Sequence, residues 1–425
     1  MEPDFPSLPN VWRVFGLRES PYFQDTLGSA ERSYPLSLFI GRRDEASTLL
    51  TAIGSSPSSR QAVGGATGIG KTTLIQYVKA RAIEAGYWAA DELVPFFEND
   101  TVERLTGRVL VSIYDTCLAA RPMVSDHSAM RAAQQMVKVS RVQTSFGGGA
   151  GVMGLSASMS SGHTLVTPGE SALLDGPRVI RDLLTLVRSE SHGVVLHLNN
   201  LETLTEQAVG QAADLLRSLR DTVLMQKGLH VILAGTSESV ATATQTHAQL
   251  RSVFDTPITL APFGVADAEE LLAARYAHLS LPGTAPVPPV AQSAITALYP
   301  MFRGDLRGFL AALDAGVRLV GGATAHPNAS ITLPDLAPAL QLRYAGALRE
   351  LMGEKRLEQL ERWAAEGTET EQTQKSLARL WGITQGSVSD VLDELVTRGY
   401  VIVRPRVGKQ ATPYVLSGVS RLILG

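Results

Sequence analysis

Short apolar runs and helix-period patterns alternate through the middle of the chain. The apolar runs are bounded by polar or turn-forming residues and predict strands. They are Gln61–Val63, Trp88–Val94, Gly193–Leu198, His230–Ala234 and Pro257–Leu260. Amphipathic helical patterns, such as Val179–Val187 and Thr205–Val223, lie between them. Because strands that alternate with helices form parallel sheets with helices on both faces, the pattern predicts an α/β body over residues 37–262.

Helical patterns replace this alternation after the α/β body. Asp267–Ala277 and Val290–Leu298 have helical periodicity. The stretch Gly321–Pro338 is rich in Gly, Pro and small residues and is interpreted as a connector. We expect a helical lid over residues 263–345 and a third, separate unit over residues 346–425.

The last part of the chain follows a pattern of two helices, a turn, a third helix and a hairpin. The first two helices are predicted at Leu357–Ala365 and Glu371–Trp381, and Thr384 can cap the third. Two short apolar runs, Tyr400–Arg404 and Thr412–Leu416, would form the hairpin. This order is similar to that of winged-helix domains, a helix-turn-helix variant whose third helix enters the DNA major groove.

Two segments do not follow these patterns. Residues 1–36 contain several prolines and aromatic residues, and we expect an irregular N-terminal arm that lies on the body. A Gly-rich insertion, about residues 143–165, interrupts the body. One interpretation is a flexible surface loop. The other is a hairpin that contacts a neighbouring subunit or a nucleic-acid strand.

Composition narrows the class of protein. The 425 residues carry a net charge of −3, so a nucleic-acid surface would have to be a local basic one. The single cysteine, Cys117, excludes an intramolecular disulfide framework and suits a reducing compartment. The sequence has no signal-peptide pattern and no apolar stretch of about 18 residues. We expect a cytoplasmic protein without membrane contact.

One motif carries specific chemistry. An unbroken run between a predicted strand and a predicted helix fits the phosphate-binding pattern G-x-x-x-x-G-K-[ST]. Its residues are Gly65, Ala66, Thr67, Gly68, Ile69, Gly70, Lys71 and Thr72, and Thr73 follows in the helix. Glycines let backbone N–H groups point at phosphate oxygens, and the helix dipole favours the anion. Because Lys71 can reach the β- and γ-phosphates and Thr72 can ligate Mg²⁺, we predict binding of ATP or ADP with Mg²⁺.

Two asparagines follow the strand that would complete this site. Asn199 and Asn200 stand where a carboxylate normally supports the metal and a glutamate activates water. Asn199 can bond a metal-bound water without adding charge, and Asn200 can orient a water but cannot accept its proton. Because loss of a general base costs roughly 10²–10⁴-fold in rate, we expect slow or conditional ATP hydrolysis. Glu202 is near in sequence, but no pattern places it in the site.

Together these features resemble the AAA+ superfamily, most closely its origin-recognition and initiator branch. The segment Leu38–Glu45 is similar to the one that opens that family's ATPase domain, which implies that Gly41 and Arg42 lie near adenine. Gly65–Thr72 is its Walker A motif. Val194–Asn200 is similar to its Walker B strand but lacks the acidic pair. Signalling ATPases of the STAND type share much of this layout.

The resemblance implies roles for three further residues. Thr236, after the run His230–Ala234, occupies the place of sensor 1. Arg307 is similar to the sensor 2 arginine, which contacts the nucleotide. Arg251 lies where the family often carries an arginine that reaches a neighbouring subunit's γ-phosphate. From the residues alone, Thr236 can be an ordinary turn residue and both arginines ordinary surface residues. The family roles imply a homo-oligomer with nucleotide at its interfaces.

The C-terminal unit supplies candidate DNA contacts. They lie on the N-terminal half of its third helix and on the wing: Gln385, Ser387, Ser389, Arg404, Arg406 and Lys409. Asp390, Asp393 and Glu394 lie on the same helix and would repel phosphate if they faced it. Winged helices also dock proteins, so a protein partner is the alternative.

Three functions fit these features. The leading hypothesis is an ATP-binding AAA+-type protein that binds DNA through its winged helix as a nucleotide-gated switch or loader. The second is a signalling or transcription-regulating ATPase. The third is a nearly inactive, nucleotide-bound scaffold whose winged helix docks a protein. A motor helicase is disfavoured because translocation needs repeated hydrolysis and the acidic pair is missing.

Overall fold

The structure is a computed structural model that describes residues 10–25, 27, 34–89, 92–147, 175–324, 329–404 and 411–424. Contacts between Cα atoms divide the chain into two compact units. The α/β unit comprises Thr26–Leu36 and Arg42–Leu260. The C-terminal unit comprises Met1–Asp25, Ser37–Gly41 and Ala261–Gly425. Most of the predicted Gly-rich insertion lies outside the described residues.

A parallel sheet forms the centre of the α/β unit. Its strands are β1 (Ser59–Gly64), β2 (Trp88–Ala89), β3 (Val94–Pro95), β4 (Val194–Asn199), β5 (Leu229–Gly235) and β6 (Ile258–Thr259). The order across the sheet is β2–β4–β5–β1–β6, and β3 pairs with the last residues of β4. Every residue of β1 and β5 is buried, as in a sheet covered on both faces. The predicted α/β fold is confirmed, but the predicted strand Trp88–Val94 is divided into β2 and β3.

Helices connect these strands. They are α1 (Arg43–Gly54), α2 (Lys71–Glu84), α3 (Val102–Ala120), α4 (Ser128–Gly147), α5 (Gly176–Glu190), α6 (Glu206–Ser218), α7 (Ser237–Gln245) and α8 (Ala248–Arg251). Thr101, Thr205 and Thr236 begin α3, α6 and α7, and each side chain accepts a backbone N–H of the first turn. The predicted helix Thr205–Val223 is shorter, because α6 ends at Ser218 and a wider π turn follows.

The C-terminal unit contains the helices of the predicted lid. They are α9 (Val265–Leu279), α10 (Gln292–Leu298), α11 (Leu306–Thr324) and α12 (Leu333–Met352). The prediction of a connector at Gly321–Pro338 is wrong at both ends. Helix α11 extends into it to Thr324, and α12 begins within it at Leu333 and contains Pro338. Leu336 and Leu340 of α12 are fully buried beside Gly316 of α11. This packing outweighs the tendency of proline to break a helix.

Described residues 10–25 belong to the C-terminal unit, whereas residues 27 and 34–36 belong to the α/β unit, which corrects the prediction of an arm that lies on the α/β body. The backbone N–H of Arg18 donates to the carbonyl of Leu279 at 2.9 Å. The Arg275 guanidinium donates to the carbonyls of Pro21 and Phe23, and it lies 3.8 Å from the centre of the Phe23 ring. Buried aromatic residues and this arginine therefore fix the segment to α9.

The end of the chain forms the predicted winged helix-turn-helix arrangement. Its elements are α13 (Glu354–Ala365), α14 (Gln374–Trp381), α15 (Gln385–Thr397), β7 (Val401–Val403), β8 (Tyr414–Leu416) and α16 (Gly418–Leu424). Gly382 has a φ of 66°, which permits the turn between α14 and α15. Leu348 of α12 packs in the same core as Trp363 and Leu392, so α12 continues across the predicted boundary after residue 345. None of the described helices combines the length and the apolar character that a membrane crossing requires.

Candidate functional site

The predicted phosphate-binding loop joins β1 to α2. Gly68 and Gly70 have φ values of 79° and 95°, a left-handed conformation that explains why glycine stands there. No side chain caps the start of α2. The first N–H groups of this helix are therefore available to an anion. Ala66 and Thr67 are exposed at the tip of the loop.

The Lys71 side chain lies along this loop. Its Nζ donates to the carbonyl oxygens of Gly65 at 3.1 Å and Ala66 at 3.0 Å, and the residue is only 6% exposed. A buried ammonium held by two neutral carbonyls can exchange these partners for phosphate oxygens, which form stronger charge-assisted hydrogen bonds. Thr72 and Thr73 follow in the first turn of α2, both half-buried.

Arg42 supports the loop from the start of α1. Its Nη2 donates to the carbonyl of Ile69 at 3.1 Å, and its Nη1 lies 3.4 Å from a Glu45 carboxylate oxygen. This contact gives Arg42 a structural task, and its predicted place near adenine stays a prediction. Gly41 belongs to the C-terminal unit, where its φ of 66° brings it close to the Phe263 ring.

The two asparagines after β4 differ in their surroundings. Asn199 ends β4 at the carboxyl edge of the sheet, and its Oδ1 is buried without a hydrogen-bond partner among the described residues. Such an oxygen can accept a hydrogen bond from a ligand or a metal-bound water. Asn200 has a φ of 78° and donates its side-chain amide to the carbonyl of Phe96 at 3.3 Å. One N–H of the Asn200 amide therefore ties β4 to the residue after β3.

The structure adds Glu202 as a candidate residue of the nucleotide site, which the sequence pattern did not place there. It lies in a short 3₁₀ helix, Leu201–Thr203, directly after β4. Its Oε2 is also buried without a hydrogen-bond partner in the described part of the chain. The sequence signal for it is a carboxylate two positions after Val194–Asn200, the segment similar to the Walker B strand.

Thr236 lies at the end of β5, which pairs directly with β1. Its hydroxyl accepts the Ser239 N–H at 3.0 Å and donates to the Ser239 hydroxyl at 2.9 Å. A side chain at the preceding Gly235 would come within 2.8 Å of Leu201 Cβ, so the chain is tightly packed here. Thr236 lies at the carboxyl end of β5, beside the end of β1 from which the loop starts. Its hydroxyl caps the N-terminus of α7. Arg251 is exposed at the end of α8.

Arg307 lies in the first turn of α11 and is exposed. Asp305 caps this helix, because its Oδ1 accepts the Gly308 N–H at 2.9 Å. The side chain thus projects from a helix start of fixed geometry, as the predicted sensor role requires. That role itself stays a prediction.

The predicted DNA contacts lie on two elements of the winged helix. Gln385 and Ser387 are exposed on α15, although the Ser387 hydroxyl also pairs with Thr384 at 3.0 Å. Ser389 is half-buried, with its hydroxyl 3.5 Å from the Gln374 amide. Arg404 is half-buried after β7. Arg406 and Lys409 lie outside the described residues.

The acidic residues of α15 are only partly neutralised. Glu394 lies 3.2 Å from Arg356 and 3.9 Å from Arg398. Asp390 and Asp393 are exposed. These exposed carboxylates would repel a phosphate backbone from the middle of α15.

A metal ion would depend on the nucleotide. In the described ranges, no three His, Cys, Asp or Glu side chains are grouped so that they could hold one. The Thr72 hydroxyl and the Asn199 side-chain oxygen fit Mg²⁺ that carries phosphate and water ligands, because Mg²⁺ keeps several waters and needs few protein ligands.

Comparison with known proteins gave similar structures only. No protein-family model and no curated protein matches the chain. The chain is similar to the ORC2 protein of Aeropyrum pernix in ADPNP–ADP complexes, with 14% identity, coverage of 96% of this chain and 97% of that one, and a TM-score of 0.48. It is similar to the ORC1 protein of Aeropyrum pernix in complex with DNA, with 14% identity, coverage of 92% and 94%, and a TM-score of 0.43. A Walker-type ATPase of Pyrococcus abyssi has 12% identity, coverage of 95% and 99%, and a TM-score of 0.46.

Two of these structures are ORC proteins. At identities of 14% or less and TM-scores below 0.5, the similarity assigns no activity to the chain.

Proposed function

We propose that this protein binds ATP or ADP with Mg²⁺ at the loop between β1 and α2. The observation that carries the proposal is the loop's geometry. Its left-handed glycines, an uncapped helix start and the buried Lys71 ammonium lie together in one loop, which is the set of groups that binds phosphate. Arg42 stabilises the loop through the carbonyl of Ile69.

In this proposal the bound nucleotide sets the state of the protein, and rapid ATP hydrolysis is not required. No carboxylate stands at positions 199 and 200, and the Asn200 amide donates one hydrogen bond to the carbonyl of Phe96. Asn199 can hold a water of the metal shell, but neither residue can accept its proton. ATP hydrolysis is therefore slow, and the bound state persists.

The winged helix is the DNA-binding part of the switch. The N-terminal end of α15 exposes Gln385 and Ser387, side chains that can read base edges. Residues 395–425 carry basic side chains and no acidic one, which favours phosphate contacts near the wing. We propose that subunits assemble through the ATPase part, with the exposed Arg251 as the residue offered to a neighbour.

Binding of Mg²⁺–ATP by calorimetry tests the nucleotide site. Lys71→Ala should raise the dissociation constant roughly 10- to 100-fold, since charge-assisted hydrogen bonds to phosphate contribute about 1.5–3 kcal/mol. Lys227→Ala, which removes an exposed lysine of the same unit, is the matched control and should bind as the wild type does. Equal affinity in the two variants would refute the site.

A protein-docking scaffold is the second candidate, and one observation favours it. Asp390 and Asp393 are exposed on α15, the helix that would enter a DNA groove. If the wild-type protein binds nucleotide but no duplex at low salt, the winged helix is a protein-docking module and the signalling or scaffold function becomes the leading one.

A further inference from the structure

The turn that leads into the Arg307 helix has a fixed shape. It consists of a 3₁₀ helix, Tyr299–Phe302, followed by Arg303 and Gly304 with φ values of 47° and 83°. A side chain at Gly304 would place its Cβ 2.2 Å from Pro262 Cβ. The Phe302 and Tyr299 rings pack on Phe309 of α11 at 5.6 and 5.0 Å between ring centres. We call residues 299–304 the docking turn, since the winged helix lies against it.

Helix α16 of the winged helix makes the first contact with the docking turn. Gly418 lies so close to Phe302 that a Cβ there would be 2.3 Å from the ring. Arg421 is 4% exposed, and its Nη1 donates to the carbonyl of Met301 at 2.6 Å. Its Nη2 donates to the carbonyl of Leu416 in β8 at 2.8 Å. One buried arginine therefore joins the docking turn to the hairpin of the winged helix.

Glu369, between α13 and α14, makes the second contact. Its carboxylate forms an ion pair with Arg303 and lies 3.8 Å from Arg421, and its carbonyl accepts the Arg303 Nη2 at 3.0 Å. Burial, followed by the positive charges of Arg303 and Arg404, lowers the pKa of Arg421 to about 10. The Glu369 carboxylate thus faces two of these positive charges at the contact between the winged helix and the docking turn.

Helix α12 provides a separate connection between α11 and the winged helix. Its N-terminal half packs on α11, where Leu336 meets Gly316, and Leu348 in its C-terminal half joins the winged-helix core. A connection through α12 alone would leave the winged helix free to swivel about that helix, and α16 also packs directly on α11. A second contact at a distance from it fixes the angle.

We propose that the Arg303–Glu369–Arg421 network locks the winged helix to the Arg307 helix, and that Glu369 is a positioning residue for nucleotide-dependent DNA binding. A rotation of α11 on nucleotide binding would then rotate α15 by the same angle. The lock is a property of the C-terminal unit alone, while its effect on DNA affinity rests on the proposed function.

Distances between spin labels test the lock directly. Labels on Leu319→Cys in α11 and Thr397→Cys in α15 report the angle, and both native positions are exposed. Cys117 will not compete for label, because it is fully buried and burial raises the pKa of its thiol to about 12. Glu369→Ala should broaden or shift the distance distribution. An unchanged distribution would overturn the proposal.

Glu354→Ala is the matched control. Glu354 is an exposed carboxylate of the same unit that pairs with Arg349 at 3.0 Å and does not touch the docking turn in the described structure. Glu369 is itself 69% exposed, so removing its side chain leaves no buried cavity and the variant should fold. The control should retain the wild-type distance distribution.

DNA affinity measured with ATP and with ADP gives the functional readout. Glu369→Ala should bring the ratio of the DNA affinities with ATP and with ADP closer to one by a factor of at least about three. The dissociation constant for ATP should stay within about twofold of the wild-type value. A retained ratio would refute the positioning role. Absence of any nucleotide effect in the wild type would instead refute the proposed function, and the label distances would still decide the lock.

Discussion

Replacing His197 with leucine should stabilise the α/β unit. His197 lies in the centre of β4 and is 1% exposed, and neither ring nitrogen has a hydrogen-bond partner among the described residues. A neutral imidazole carries one N–H donor, and leaving it unpaired in the interior costs about 1–3 kcal/mol. Leucine has a similar size and no polar atom. His197→Leu should therefore raise the free energy of unfolding by about 1–3 kcal/mol at pH 7.5, less any repacking cost.

The same substitution should weaken the pH dependence of stability. Burial, followed by the nearby charge of Lys79, holds the pKa of His197 well below its usual value. Below about pH 6.5 the unfolded chain takes up a proton that the folded chain refuses, so stability falls as the pH falls. The gain from His197→Leu should accordingly be larger at pH 5 than at pH 7.5.

Hydrogen exchange of the β4 and β5 amides, followed by mass spectrometry at both pH values, measures this stability locally. His192→Leu, at an exposed histidine just before β4, is the control and should change stability by less than about 0.5 kcal/mol. A loss of stability in His197→Leu at pH 7.5, or an unchanged pH dependence, would refute the reasoning about the unpaired ring.

Three further predictions concern stability, ATP hydrolysis and DNA binding. Because burial lowers the pKa of His230 to about 4, wild-type stability should fall by about 2 kcal/mol between pH 7.5 and pH 5 from this residue, as urea titrations at the two pH values would show. Asn199→Asp combined with Asn200→Glu should raise the steady-state rate of ATP hydrolysis, by up to about 10²-fold, and no gain would favour the scaffold function. Arg404→Ala combined with Arg406→Ala should weaken duplex binding and reduce the slope of log K against log salt by about 2, and an unchanged slope would exclude the wing from the DNA surface.

Much of the fold could be predicted because the hydrophobic pattern decides it. β4 and β5 are buried on both faces and read as continuous apolar runs, and α15 shows its buried face at helical spacing. The stretch around Pro338 could not be predicted, since its helix is stabilised by Leu336 and Leu340 packing on Gly316, a contact remote in sequence. The ends of the Trp88–Val94 run could not be predicted either, because the two short strands depend on pairing with β4.

The candidate site was predictable in its glycines and lysine but not in its hydrogen bonds. Gly68 and Gly70 have the left-handed conformation expected of the motif, and the Lys71 ammonium contacts the loop carbonyls, while its phosphate contact stays a prediction. That Asn200 holds the loop at Phe96, and that Thr236 begins α7, depends on neighbours brought by the fold. The docking turn could not be inferred, because Glu369 and Arg421 come close to Arg303 only in the folded unit.

Fluorescence anisotropy of a labelled DNA duplex tests the nucleotide-gated switch most directly. The duplex is titrated with protein in the presence of ATP, of ADP and of no nucleotide, and each titration is repeated across a range of salt. We expect binding that weakens with salt and differs between nucleotide states by about fivefold or more. Equal affinity in all three states would contradict nucleotide gating, and no binding in any state would contradict the DNA-binding function of the winged helix.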